Sequence, residues 1–254
     1  MAAARRPGAW YPDTASRSDD DERMDIDYAT ALHRLTKAYD GIDRLVAALT
    51  RDDLLEFSRC RGWVVADVLF HVLCDAQRAL IALASPHPGL SDRDFVTYWR
   101  GLAGDRDPIP GTWSIKRSAA AFRDGLGSIA LWQETSPAAV RAAGAADPNG
   151  YVTTQGHVLA VPDFLMTLAT EAAIHHLDMT LHLPTARQPH PDALAAAVDS
   201  LDGLARTTDS GAGAVGDTMR PTTWTAEQYV LKATGREALS AGEATQARGY
   251  PLLS

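Results

Sequence analysis

The sequence has few cysteines and it lacks any long apolar run. Its two cysteines, Cys60 and Cys74, cannot form a disulfide framework, and neither belongs to a Cys-x-x-Cys pair of the kind found in zinc ribbons and thioredoxin-like motifs. No stretch approaches the roughly 18 uncharged apolar residues that a membrane helix requires, and residues 1–23 contain no apolar signal segment. These absences argue against a secreted or membrane-spanning protein, so we expect a cytoplasmic one.

An excess of positive charge is also missing. The 254 residues include 32 acidic and 24 basic side chains, which gives a formal net charge of −8. Proteins that bind nucleic acids generally carry a basic surface, and we therefore expect no nucleic-acid partner. Only three of the basic residues are lysines, and this preference for arginine is typical of GC-rich bacterial genomes. The preference describes the host and not the function.

Apolar residues recur at steps of three and four along most of the chain, and this spacing predicts a mainly α protein. Residues 1–22 lack the spacing and are expected to form a flexible arm. Residues 23–186 are predicted to form a helical bundle, and residues 187–254 a small, mostly helical C-terminal lobe. The bundle helices are predicted at 28–49, 68–83, 112–132 and 164–183, and the lobe helices at 193–205 and 224–234.

Two long connections separate the predicted bundle helices. Residues 85–111 and 144–158 are rich in proline and glycine and are predicted to be loops, with a short helix at 95–102. A glycine-rich loop is predicted at 209–217, and Pro137 is expected to end or bend the third bundle helix. Binding residues often lie on such connections, so we expect the first two loops to shape a substrate pocket.

A glutamate and two histidines are spaced as metal ligands could be. Glu171 and His175 are four positions apart on the predicted fourth helix, so their side chains share one face. His71 lies midway along the second helix, and bundles build metal sites from facing helices. Two histidines and one carboxylate leave an open coordination position and fit Zn²⁺, with Ni²⁺ or Fe²⁺ as alternatives. The competing interpretation is chance, because eight histidines in a helical chain must sometimes adopt this spacing.

Three segments of the sequence carry a family pattern. In chain order they are Gly62-Trp63-x-Val65-x-Asp67-x-Leu69-x-His71, Glu171-x-x-x-His175-His176-x-Asp178 and Ala233-Thr234-Gly235-Arg236. In these segments the sequence resembles the mycothiol-dependent maleylpyruvate isomerase family of the DinB-like superfamily. The resemblance implies a DinB-like four-helix bundle in which His71, Glu171 and His175 bind a divalent metal. It also implies that Arg236 binds an anionic group of the substrate.

Several neighbours of the candidate ligands have two interpretations each. Asp67 and Asp178 either orient the ring of a ligand histidine as hydrogen-bond acceptors or interact with the helix they lie on. His176 points about 100° away from His175 around the helix, so we expect it to pack or to hydrogen-bond elsewhere. Cys74 could approach the metal, but a cysteine on an apolar helix face is usually a small core residue.

The resemblance implies mycothiol as a cosubstrate that acts together with a small-molecule substrate. A metal-bound thiol is deprotonated at neutral pH, whereas a free thiol with a pKa of about 8.5 is not. Family members often carry a basic residue in the turn before the metal-binding glutamate, whereas this chain has the apolar and polar segment 166–170 there. We therefore expect S-transfer or thiol exchange on a small electrophilic metabolite, with specialised metabolites included.

Three alternative functions remain open at this point. The first is a mycothiol-dependent cis–trans isomerase of the maleylpyruvate type, in which the thiol adduct is eliminated after bond rotation. The second is a non-catalytic metal-binding protein of the DinB-like superfamily. The third is metal-assisted hydrolysis, for which no further general base stands out in the sequence. We expect the protein to be a monomer or a homodimer.

Overall fold

A computed structural model of the protein describes residues 25–101, 109–122, 125–209, 220–247 and 249–253. The arm predicted at 1–22 and most of the glycine-rich loop predicted at 209–217 lie outside these residues. Within the described ranges, no helix is both long enough and apolar enough to cross a membrane.

Helices make up most of the described part of the chain. In order, they are α1 (Tyr28–Val46), α2 (Val65–Ala84), α3 (Ile109–Ala120), α4 (Leu126–Ala145), α5 (Val161–Met179), α6 (Pro191–Asp209), α7 (Ala226–Ala233) and α8 (Ala241–Gln246). Helices α1, α2, α4 and α5 pack as a four-helix bundle, in which α1 lies against α5 and α2 lies against α4. This packing confirms the predicted mainly α fold with a four-helix bundle.

Helix α5 lies at the centre of the molecule. It begins with Pro162 in its first turn, where the missing N–H of proline would have had no helical partner. Because α1, α2 and α6 all pack against α5, every residue of the helix except Pro162 and Glu171 is buried. The helix begins and ends slightly earlier than the predicted 164–183. Glu171 is therefore the place along α5 at which the core opens.

The predicted third helix is two helices, α3 and α4. They are separated at Gly125, whose backbone has a φ of +72°, a conformation that favours glycine. A Cβ atom at this position would also lie only 2.8 Å from a methyl carbon of Leu54. The single helix predicted at 112–132 is thus wrong, because Gly125 has a left-handed backbone conformation that interrupts the helix and that the apolar spacing does not reveal. Pro137 does not end α4, which continues to Ala145.

The two connections predicted as loops contain a small sheet. Strand β1 (Pro86–His87) pairs with β2 (Tyr151–Thr154), and β2 pairs with β3 (His157–Ala160), both antiparallel. A two-residue turn of Gln155 and Gly156 joins β2 to β3, and both residues have positive φ, as such tight turns require. The strands are too short for their alternation to stand out in the sequence. The sheet places this turn at the open side of α5.

The C-terminal helices bring a basic side chain back to the bundle. α6 packs on α1 and α5, and α7 packs on α6. After α7 the chain turns at Gly235, which has a φ of +69°, and the N–H of Arg236 donates to the carbonyl of Leu231 in the manner of a glycine helix terminus. This turn directs the side chain of Arg236 toward α5.

Candidate metal centre

His71, Glu171 and His175 lie together between α2 and α5. His175 Nε2 is 3.0 Å from Glu171 Oε2, and His71 Nε2 is 3.9 Å from the same oxygen. The two imidazole rings are 4.7 Å apart between centroids and nearly perpendicular, at 86°. One ligand atom from each of the three residues lies within 4.8 Å of the others. The three side chains can therefore face a single cation.

This donor set fits a divalent cation. Zinc bonds to nitrogen and oxygen of about 2.0–2.2 Å place neighbouring tetrahedral ligands about 3.4 Å apart, and the two separations from Glu171 Oε2, 3.0 and 3.9 Å, lie on either side of that value. Two imidazoles and one carboxylate are typical of catalytic sites that keep one coordination position open. Glu171 and His71 each expose 27% of their side chains, so a ligand can reach the open side.

The charges of Glu171 and His175 depend on each other. Burial would raise the pKa of Glu171, but the neighbouring imidazoles of His175 and His71 outweigh it and hold that pKa well below its usual range. Burial opposes the charged form of His175, yet hydrogen bonds to Asp178, Cys60 and Glu171 raise its pKa well above the usual value. Protein ligands bind a metal through neutral imidazole. A cation at Nε2 of His175 therefore replaces a proton.

A second cluster lies behind His175, on the side of its other ring nitrogen. His175 Nδ1 is 2.8 Å from Asp178 Oδ2, and Arg236 Nε donates to both oxygens of Asp178, at 2.7 and 3.0 Å. Burial raises the pKa of Asp178, but the hydrogen bond from His175 and the charge of Arg236 lower it to about 2. A carboxylate in this position fixes the ring of a ligand histidine with its other nitrogen free. Asp178 therefore directs Nε2 of His175 toward Glu171.

Arg236 lies against Asp178, behind the ring of His175, and its implied role in binding an anionic group of the substrate stays a prediction. Its side chain is 17% exposed and is paired with Asp178, which is fully buried, and its Nη1 donates to the carbonyl of Thr234. These contacts hold the guanidinium on a carboxylate of the protein itself. In this arrangement Arg236 acts on the candidate ligand His175 through Asp178.

The other neighbours of the candidate ligands take separate positions. Asp67 accepts a hydrogen bond from the backbone N–H of Val64 at 3.1 Å, so it caps the start of α2, and the alternative in which it orients His71 is not what the structure shows. The ring of Trp63 lies edge-on to His71 at 5.8 Å between centroids. His176 bonds through Nε2 to a backbone carbonyl of the α5–α6 connection, at 2.8 Å.

Sequence reasoning missed two residues, Cys60 and Asp75. Cys60 Sγ lies 3.1 Å from Asp178 Oδ2. Cys60 belongs to a loop, so no helical spacing in the sequence relates it to the candidate ligands. Asp75 Oδ2 lies 3.5 Å from His71 Nε2 and is buried without a hydrogen-bond partner among the described residues. Burial raises the pKa of Asp75 to about 6. Its spacing of four residues from His71 could have revealed it.

Comparisons with known proteins agree with this architecture. The family model described as the mycothiol maleylpyruvate isomerase N-terminal domain matches residues 35–180, which is more than half of the chain. The solved structure titled as the crystal structure of the mycothiol-dependent maleylpyruvate isomerase is similar with a TM-score of 0.50 and 16% identity, over 74% of each chain. A search of curated proteins gives no match. By the match over 35–180, the chain belongs to the family of the mycothiol maleylpyruvate isomerase N-terminal domain.

Proposed function

We propose that this protein is a metal- and mycothiol-dependent cis–trans isomerase acting on a small unsaturated carbonyl compound of the maleylpyruvate type. The observation that carries the proposal is the convergence of His71, Glu171 and His175 on one point, in a chain whose family is named for this reaction. The family match favours isomerisation over the S-transfer or thiol exchange that we expected from the missing basic residue before Glu171.

The chain's own residues supply the binding and the orientation. His71, Glu171 and His175 would hold a divalent cation, which lowers the pKa of a bound thiol from about 8.5 so that the thiolate is present at neutral pH. Asp178 keeps Nε2 of His175 turned toward Glu171, and Arg236 balances the buried charge of Asp178. The anionic Glu171 reduces the net positive charge of the loaded site.

Isomerisation through a thiol adduct conserves atoms and electrons. A thiolate held at this site would supply a nucleophile that adds reversibly to one alkene carbon while the conjugated carbonyl accepts the π electrons. The former double bond would then be single and could rotate, and return of the electron pair would re-form the alkene in the trans geometry and release the thiolate. Such covalent catalysis divides one difficult step into two easier ones, and the thiol is regenerated.

The test is turnover of maleylpyruvate by metal-loaded protein with and without mycothiol. We expect isomerisation that requires mycothiol and leaves its concentration unchanged. Consumption of one thiol per product would instead identify S-transfer and overturn the proposal, as would turnover that needs no thiol. Glu171→Gln is expected to lose both metal and activity. His182→Ala is the matched control, because His182 is an exposed histidine just beyond α5.

A further inference from the structure

A narrow cleft opens beside Glu171, where α2 and α5 meet the β2–β3 turn. Its cavity volume is about 10 Å³, which is room for one small polar group. The cleft therefore fits one functional group of a substrate rather than an entire metabolite. Its lining combines charged, hydrogen-bonding and apolar side chains, among them Asp75, Arg78, Tyr98, Gln155, Thr167 and Glu171.

Arg78 places a cation at the mouth of this cleft. It follows His71 by seven residues on α2, two helical turns along the same face. Its side chain is 40% exposed, and its Nη1 lies 3.6 Å from Asp75 Oδ1, which is longer than a hydrogen bond. An arginine presents five N–H donors in a planar fork that matches a carboxylate. The fork of Arg78 is therefore available to an anionic ligand.

The charged groups of the cleft differ in how deeply they are buried. Asp75 exposes 12% of its side chain and lies against His71, whereas Arg78 is the more exposed partner. Glu171 lies with the candidate ligands and is 27% exposed. Asp75, which is not one of the three candidate metal ligands, repels an anionic group from the inner end of the cleft, and Arg78 attracts it at the mouth. A carboxylate of a ligand is therefore expected on Arg78, with the uncharged, electrophilic part of the ligand toward the candidate metal ligands.

Gln155 adds a second observation at the same mouth. It is the non-glycine residue with positive φ in the described part of the chain, at +48°, and it lies exposed at the tip of the β2–β3 turn. Glycine or asparagine is favoured in such turns, and strained backbone is often retained where a side chain is needed for function. The amide of Gln155 can donate to a carboxylate. Buried Tyr98 stays protonated, because burial raises its pKa, so it is a further donor.

We propose that Arg78, assisted by the amide of Gln155, binds a carboxylate of the substrate in this cleft. The cleft would then select electrophiles that carry an anionic group, and it would supply on α2 the positive charge that segment 166–170 lacks. This inference rests on the proposed function and names its class of substrate.

Binding of maleate to the zinc-loaded protein tests the cleft without requiring turnover. By calorimetry we expect Arg78→Gln to bind maleate about 10- to 100-fold more weakly, as for loss of a charge-assisted hydrogen bond, while the zinc content stays unchanged. Arg141→Gln is the matched control, because Arg141 is an exposed arginine on α4. Dimethyl maleate, which has no charge, should bind wild type and Arg78→Gln alike.

Equal maleate affinity in wild type and Arg78→Gln would overturn the inference, even for a protein that isomerises maleylpyruvate. Conversely, loss of maleate binding in Arg78→Gln would support the cleft even if turnover failed and the proposed function proved wrong. Gln155→Gly distinguishes backbone strain at this position from binding by the amide side chain. We expect a higher melting temperature, because glycine adopts a positive φ without strain, and a weaker affinity for maleate, because the amide is lost. A higher melting temperature with unchanged affinity would remove Gln155 from the site.

Discussion

His175 divides the centre of this protein into two regions with similar donors and different electrostatics. On its Nε2 side lie His71 and Glu171, and on its Nδ1 side lie Cys60 and Asp178, and each trio has ligand atoms within 4.8 Å of one another. By residue type alone, either side could hold a metal. Their surroundings differ, because the Nε2 side meets an open cleft.

The Nδ1 side already contains a cation of the protein. Arg236 lies 2.7 Å from Asp178, and two unit charges of one sign repel by about 4 kcal/mol at 4 Å and an effective dielectric constant of about 20. A divalent ion placed beside this guanidinium is repelled more strongly still. The comparison therefore favours the Nε2 side over the Nδ1 side as the candidate metal site, and the contacts on the Nδ1 side hold the ring of His175 in position.

The largest effect is expected from removing a ligand on the Nε2 side. His71→Ala should reduce metal content from near one ion per chain to near zero, because His71 is one of only three proposed protein ligands. Elemental mass spectrometry of the purified variant measures this directly, with His182→Ala as the control. A His71→Ala variant that still contains about one metal ion per chain would contradict a site on the Nε2 side of His175. That result would indicate a site on the Nδ1 side.

Loss of Arg236 should mainly affect stability. Arg236→Ala leaves the fully buried Asp178 with His175 as its remaining charged neighbour, so we expect a cost at or below the roughly 3–5 kcal/mol of breaking one side of a buried pair. Urea denaturation measures the free energy of unfolding, and Arg61→Ala, at an exposed arginine, should change it by less than about 0.5 kcal/mol. The double variant with Asp178→Asn should recover part of the loss. No recovery would mean that Arg236 stabilises the lobe by packing alone.

Asp178→Asn should weaken the metal site without abolishing it. Partners that orient a ligand histidine typically change metal affinity 10- to 100-fold when they are replaced, and competition with a chelator measures this change. Asp67→Asn is the control, because Asp67 caps α2 and does not hold a ligand ring. Equal losses of affinity in the two variants would contradict the division of the centre at His175.

Metal binding should also depend on pH through His175. Because its pKa is raised by Asp178, Cys60 and Glu171 against the effect of burial, the ring is protonated at neutral pH and a cation must displace that proton. Affinity should therefore rise with pH until the raised pKa of His175 is reached. Calorimetry in buffers of different ionisation enthalpy should show close to one proton released per ion at pH 7, and release of none would mean that His175 is already neutral.

The Nε2 and Nδ1 sides of His175 also differ in how well the sequence predicted them. The helical spacing of Glu171, His175 and Asp178 predicts one shared face, and these side chains do meet on α5. Cys60 and the ion pair of Arg236 depend on a loop and a lobe far away in the chain, and local periodicity carries no information about such contacts. The Nε2 side was therefore visible in the sequence, and most of the Nδ1 side was not.

The fold shows a parallel contrast. Long amphipathic segments such as α1 were predicted nearly in full, because one apolar stripe determines both their length and their buried face. The division at Gly125 and the β2–β3 strands were missed, because short elements are fixed by backbone conformation and by partners across the chain. The β2–β3 turn borders the cleft beside Glu171, so one of the elements that the sequence did not reveal lies at the candidate substrate site.

The smallest expected effect, and the sharpest test of the comparison, comes from Cys60. Its thiol donates to Asp178 at 3.1 Å, and the hydroxyl in Cys60→Ser can donate in the same way. We expect full metal content and a change in the free energy of unfolding within about 1 kcal/mol, measured by elemental mass spectrometry and urea denaturation. If Cys60 were a metal ligand, serine would be a much poorer donor to zinc than a thiolate, and the ion would be lost. Retention of the ion therefore assigns Cys60 to the support of His175.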